Sequence, residues 1–182
     1  MQITQANLGA MPVEQQRPGL ERIFTENKER VYRTAYRVTG NSNDAEDVLQ
    51  TVFLRLVRQD RGLEIGNVAA YLHRSAVNAS LDVLRRRRDA QLLSLDEEPN
   101  QAEAVSRETT GHSTELRDWL RKALARLNPR WAEMFILRFV EDYSNNEIAA
   151  MMKTSAAVVA VVLHRTRAQL RRDFKSLARG TR

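Results

Sequence analysis

The chain has 182 residues, room for one domain or two small ones, and enough apolar residues for a folded core, which excludes a disordered polypeptide. Its net charge of +6 favours a polyanionic partner, and the absence of cysteine excludes disulfides and thiolate metal sites while suiting a reducing cytoplasm. No basic stretch followed by an apolar core opens the chain and no apolar run approaches bilayer-spanning length, so a soluble, cytoplasmic protein without membrane insertion is expected.

In chain order, residues 1–19 hold Gly9, Pro12, Pro18 and Gly19 with no sustained period and are expected to form a mobile N-terminal tail. From Leu20 the pattern turns helical. Leu20, Ile23, Phe24, Val31, Tyr32, Ala35 and Val38 fall at helical spacing until Gly40-Asn41-Ser42-Asn43 ends the run. A second helix follows, with Val48, Leu49, Val52, Phe53, Leu56 and Val57 as its apolar face and Asp44, Glu46 and Asp47 in its first turn, where the macrodipole favours acids. Gln59–Gly66 reads as a loop, because Arg61-Gly62 and Ile65-Gly66 interrupt the period. A long third helix starts near Asn67, turns Leu72, Ala76, Ala79 and Val83 inward, and ends in Arg85-Arg86-Arg87-Arg88.

Residues 91–113 lose periodicity, contain Pro99 and Gly111, and read as a linker between domains. Charge marks the same division. Residues 20–90 hold 13 Lys and Arg against 10 Asp and Glu, residues 91–113 hold 1 against 5, and residues 114–182 hold 14 against 7. Beyond the linker, Leu116, Leu120, Leu124 and Leu127 define a helix stopped by Asn128-Pro129, since proline cannot continue it, and Trp131, Met134, Phe135 and Arg138 sit on a further one. The fold expected is all-α: two small helical domains, residues 20–90 and 114–182, joined by a flexible acidic linker.

The C-terminal domain closes in the spacing of a helix-turn-helix. Ser144 and Glu147 are placed as a capping box, Ile148, Met151 and Met152 form one apolar stripe, and Thr154-Ser155 can break the chain and cap the next helix. That second helix runs out into Arg165, Arg167, Arg171 and Arg172, the arrangement that presents side chains to a DNA groove. A packed αα-hairpin with a solvated basic face has the same pattern.

The order of these stretches carries a resemblance. Asp44-Ala45-Glu46-Asp47-Val48-Leu49-Gln50-Thr51-Val52-Phe53-Leu54-Arg55-Leu56 is followed by Tyr71-Leu72-His73-Arg74-Ser75-Ala76-Val77-Asn78, the arginine run, an acidic linker, and a helix-turn-helix with Leu163-His164-Arg165-Thr166-Arg167. Over residues 20–90 and 114–175 the chain resembles the bacterial RNA polymerase sigma factors of the extracytoplasmic-function (ECF) group. The resemblance implies that residues 20–90 are a region 2-like domain that binds core RNA polymerase and melts the promoter, and that residues 114–182 are a region 4-like domain docking on the upstream element. It also implies an anti-sigma protein, clamping both domains, as the usual regulator.

Carried over residue by residue, the resemblance puts Asp44, Glu46, Asp47, Gln50 and Phe53 on the polymerase-binding helix. The acids equally complement a helix start, and Phe53 equally suits a core. Capturing an unpaired strand takes stacking, a base pocket and backbone cations. Arg58, Arg61 and Arg74 supply cations, Tyr71 stands where the family usually has tryptophan, and Asn78 matches an asparagine near its flipped-base pocket. Tyr71 is also readable as a core ring, and Asn78 as a surface amide. Arg85, Arg86, Arg87 and Arg88 surround the end of the third helix, so some must face solvent and suit phosphate contact at the minus-ten element. In the linker, Asp96, Glu97, Glu98, Glu103 and Glu108 either mimic RNA phosphates or form a plain solvated spacer.

The recognition helix departs from the family. Where threonine, lysine, serine and arginine are common, this chain has Val158, Ala160, Val161 and Val162, which cannot donate to a base edge, and Lys153 replaces a glycine common in the turn. The apolar stretch from Ala156 to Leu163 suggests burial. The minus-thirty-five contacts are therefore expected at Ser155, His164, Arg165, Arg167 and Arg171, aided by backbone and shape contacts, unless the apolar face binds protein.

The function expected is a promoter-specificity subunit whose partners are core polymerase and promoter DNA, as duplex and as melted strand. The alternative is a regulator acting alone through its helix-turn-helix, which needs neither the Asp44–Leu56 helix nor the arginine run. An enzyme is disfavoured: His73, His112 and His164 lack ligand spacing and no phosphate-binding glycine loop occurs, so no catalytic residue, metal or cofactor is expected.

Overall fold

Asn41 shows how this sequence separates its first two helices. Gly40 leaves the helical region with φ of +71° and its N–H still bonds Tyr36 O at 2.8 Å, after which the Asn41 side chain accepts from Asp44 N at 3.1 Å and starts the next helix. The structure, a computed structural model, describes residues 17–58, 67–94 and 111–180. The expected tail over residues 1–16, the loop Gln59–Gly66 with Arg61, and the five linker acids lie outside the described residues. Within them the chain forms seven helices and no strand.

Helices α1 (Arg17–Thr39), α2 (Ser42–Arg58) and α3 (Val68–Ser94) make the N-terminal module. Asn67 caps α3, its side chain accepting from Ala70 N at 2.9 Å. The module's core joins Val31 and Ala35 of α1, Val48, Val52 and Leu56 of α2, and Leu72, Ala76, Ala79 and Val83 of α3. Helix α1 begins at Arg17, inside the stretch expected as tail, and α3 runs on to Ser94, inside the stretch expected as linker. The extension of α3 follows propensity rather than burial, since Ala90-Gln91-Leu92-Leu93 contains no breaker and Leu92 and Leu93 remain exposed.

Helices α4 (Gly111–Arg126), α5 (Pro129–Phe139), α6 (Asn145–Met151) and α7 (Ala156–Gly180) make the C-terminal module. Asn128 caps α5 by accepting from Arg130 N at 3.0 Å, and Pro129 fills its first turn, where no amide hydrogen is needed. The capping box on α6 is formed. Ser144 Oγ accepts from Glu147 N at 3.3 Å, and Ser144 N donates to Glu147 Oε2 at 2.8 Å. Ser155 Oγ accepts from Val158 N at 3.2 Å and starts α7, which leaves α6 at 107°, within the range of a helix-turn-helix.

The two modules are docked, because α3 is apolar on two faces. Besides the stripe turned into its own module, Val77, Leu81 and Leu84 of α3 and Val38 of α1 pack into one cluster with Leu124, Leu127, Ile136, Leu137 and Ile148 of the C-terminal module. Leu81 is fully buried, a gain of about 2 kcal/mol. Arg121 of α4 lies across Gly40 and donates from Nε to Val38 O at 3.2 Å; a Cβ at position 40 would stand 2.2 Å from its guanidinium. Among the described residues no single helix is long and apolar enough to cross a membrane.

Candidate functional site

Along α2, the i, i+3 and i, i+4 spacing brings Glu46, Asp47 and Gln50 to one exposed edge. Asp44 is turned inward instead and pairs with Arg87 Nη2 of α3 at 2.6 Å. Phe53 is 9% exposed and meets the Phe24 ring edge-on at 4.8 Å between centroids. Its ring is a core side chain that fastens α2 to α1, which fits the core reading of Phe53 left open by the sequence.

Of the strand-capture candidates on α3, Arg74 and Asn78 face the C-terminal module. Tyr71 is half-buried against its own module's core. Arg74 Nε donates to Glu133 Oε1 at 2.5 Å and Nη1 to Met151 O at 2.9 Å, while Asn78 Nδ2 donates to the same Glu133 oxygen at 3.1 Å. Glu133 is 5% exposed, so two donors from α3 compensate the burial of one carboxylate on α5.

Beside this contact lies a second polar cluster. His73, 2% exposed, donates from Nε2 to Glu141 Oε2 at 2.6 Å, and its Nδ1 pairs with the Tyr143 hydroxyl at 2.6 Å. Arg30 donates to that hydroxyl at 2.7 Å and Thr34 donates to Glu141 Oε2 at 3.0 Å. Burial alone would push the Glu141 carboxyl up, but the hydrogen bond and charge of His73, with Thr34 and Arg37, outweigh it and hold the group below the ordinary value. Burial pushes the Tyr143 hydroxyl up. Neither acid was among the sequence candidates. The available signal was Glu133 inside the apolar run Trp131–Leu137, since an acid on a buried stripe requires a partner.

The arginine run divides. Arg85 pairs with Asp82 at 3.2 Å, Arg87 with Asp44, and Arg88 donates to Ala125 O of α4 at 2.8 Å as well as to Asp89. Arg86 and Arg87 are exposed, as is Arg58 at the end of α2.

In the helix-turn-helix, Ser155, His164 and Arg165 are exposed. Arg167 lies over the Phe139 ring at 5.6 Å, and with Arg171 it borders an apolar groove of about 420 Å³ walled by Trp119, Phe135, Leu170 and Phe174. The stretch Ala156–Leu163 is not buried throughout, contrary to expectation. Val159 and Leu163 turn inward, whereas Val158 and Val161 are 47% and 50% exposed, because a 3.6-residue period cannot bury a continuous apolar run on one side. Among the described residues, no cluster of three or more His, Asp or Glu has metal-binding geometry.

Residues 23–90 match Sigma-70 region 2 and residues 117–170 match Sigma-70 region 4. The chain is 34% identical over 156 residues to the ECF RNA polymerase sigma factor SigE of Mycolicibacterium smegmatis, covering 85% of this chain and 61% of that relative. It is 31% identical over 152 residues to the RNA polymerase sigma factor CarQ of Myxococcus xanthus, covering 83% of this chain and 86% of CarQ. Among solved structures, the sigma factor RpoE of Bartonella quintana, crystallised with the anti-sigma factor NepR, shares the fold with a TM-score of 0.52 at 20% identity, covering 86% of this chain and 97% of that one. With both modules matched in order, the chain belongs to the ECF group of RNA polymerase sigma factors.

Proposed function

We propose that this chain binds core RNA polymerase in the cytoplasm, directs it to a subset of promoters and helps melt their minus-ten element, with no catalytic chemistry of its own. The exposed Glu46, Asp47 and Gln50 edge of α2 meets basic side chains of the polymerase. Arg74, Asn78 and Tyr71 take the displaced strand, with Arg58, Arg86 and Arg87 on its phosphates. The α6–α7 pair anchors the assembly upstream. The observation that carries this reading is the arrangement in one chain of a three-helix module with an exposed acidic edge and a capped helix-turn-helix at 107°.

Docking has a consequence for that reading. Glu133 accepts from Arg74 Nε and Asn78 Nδ2, and Met151 O from Arg74 Nη1, so capture of a strand by this pair requires the two modules to part. An anti-sigma protein that clamps both modules would act on the same equilibrium. The decisive experiment is transcription in vitro with purified core polymerase over a library of genomic templates. Initiation at a restricted set of start sites, dependent on the chain, is expected; failure to initiate at every template overturns the proposal.

A further inference from the structure

Helix α7 has two faces of different character. Val159, Leu163, Thr166 and Leu170 are buried against the C-terminal module. Ala157, Val158, Ala160 and Val161 are exposed on its first two turns, the part of such a helix that meets base edges. None of these four side chains has a hydrogen-bond donor or acceptor, so none can read a base by polar contact.

The surrounding charge identifies the occupant. Between Glu147 and Asp173 there is no acid and there are five Lys and Arg, with His164 among them. Val161, Arg165 and Arg172 follow at spacings of four and seven and share one exposed face, and Lys153 stands exposed in the turn. An apolar patch bordered by cations complements a polyanion that displays apolar groups in a groove. The major groove does so wherever thymine presents its C5-methyl.

Resting on the reading of the chain as a promoter-specificity subunit, we propose that Val158 and Val161, flanked by Ala157 and Ala160, select the upstream element by contact with thymine methyl groups. Lys153, Arg165 and Arg172 hold the adjacent phosphates. Specificity is then set by where methyl groups fall rather than by donors and acceptors on guanine or adenine.

The test uses the full chain on core polymerase. Duplexes randomised upstream of a fixed minus-ten element are selected by binding, and the winning duplex is resynthesised with deoxyuridine for thymidine in the selected segment, which removes the methyl groups and leaves the pairing edge unchanged. Selection of thymine-containing steps is expected, with affinity falling about fourfold for each methyl removed, at fixed salt. In the V158A/V161A double variant the difference between the two duplexes should largely disappear. Both positions are about half-exposed and alanine favours helix, so the variant keeps its core. Equal binding of the two duplexes by the unmodified chain, or a selected element without thymine in either strand, overturns the inference. So does a double variant that keeps the discrimination while losing a co-purifying protein. None of these outcomes touches the parent reading, which fails only if the chain supports no initiation.

Discussion

Arg86 differs from its three neighbours in the arginine run. Arg85, Arg87 and Arg88 each make an ion pair with Asp82, Asp44 or Asp89, while Arg86 is exposed at the end of the stripe that carries Ala79 and Val83, beside Asp47 and Asp82, and makes no ion pair among the described residues. An exposed guanidinium outside an ion pair is suited to phosphate, where it raises affinity without reading sequence. Arg86→Ala is therefore expected to weaken single-strand binding uniformly across sequences and to reduce the slope of log K against log salt by about 0.7. Titrations at several salt concentrations measure both; an unchanged slope would remove Arg86 from the phosphate contacts.

At the scale of elements, the turn between α6 and α7 holds the clearest local conflict. Lys153 has φ of 51°, the left-handed region that costs an L-residue roughly 1–2 kcal/mol, yet Thr154 N still reaches Ala149 O at 2.9 Å and closes α6. Glycine relieves that strain but loses more freedom on folding, by about 0.5–1 kcal/mol. Lys153→Gly is expected to stabilise the chain by a net of about 0.5–1 kcal/mol, read as a higher urea midpoint at unchanged slope. A lower midpoint would mean that the lysine side chain contributes a contact outweighing its backbone cost.

For the whole molecule, the proposed strand capture on α3 depends on a balance between docked and parted modules. Glu133→Ala removes the acceptor shared by Arg74 and Asn78, and the docked form should lose about 1.5–3 kcal/mol, roughly 10- to 150-fold in its ratio to the parted form. Energy transfer between dyes on α2 and α7 should show a longer mean distance, with tighter binding of single-stranded DNA and unchanged helix content. Distances identical to those of the unmodified chain would show that the apolar contact alone holds the modules. Glu141 adds a pH dependence. Its carboxyl is held below the ordinary value of 4.5 only when docked, so its contribution is complete above that pH and is lost as pH falls through the lowered value. The same dyes should report parting in acid, and Glu141→Gln should flatten that response.

Local order was legible in the residues themselves. The caps at Ser144 and Ser155, the stops at Gly40 and Asn128-Pro129 and the inward stripe Leu72-Ala76-Ala79-Val83 are short-range effects, fixed by hydrogen bonds and spacings within a few residues. Glu46, Asp47 and Gln50 entered as candidates through the family resemblance, and their shared exposure follows from helical spacing along α2. Only the tertiary structure decided that Phe53 is interior, that Val158 and Val161 are exposed, and that Glu133 and Glu141 hold Arg74, Asn78 and His73. Those partners lie 55 to 68 residues apart in the chain, and no spacing rule reaches that far. Long-range pairing follows from the second apolar face of α3, whose burial sets which polar side chains meet once two helical modules share a core.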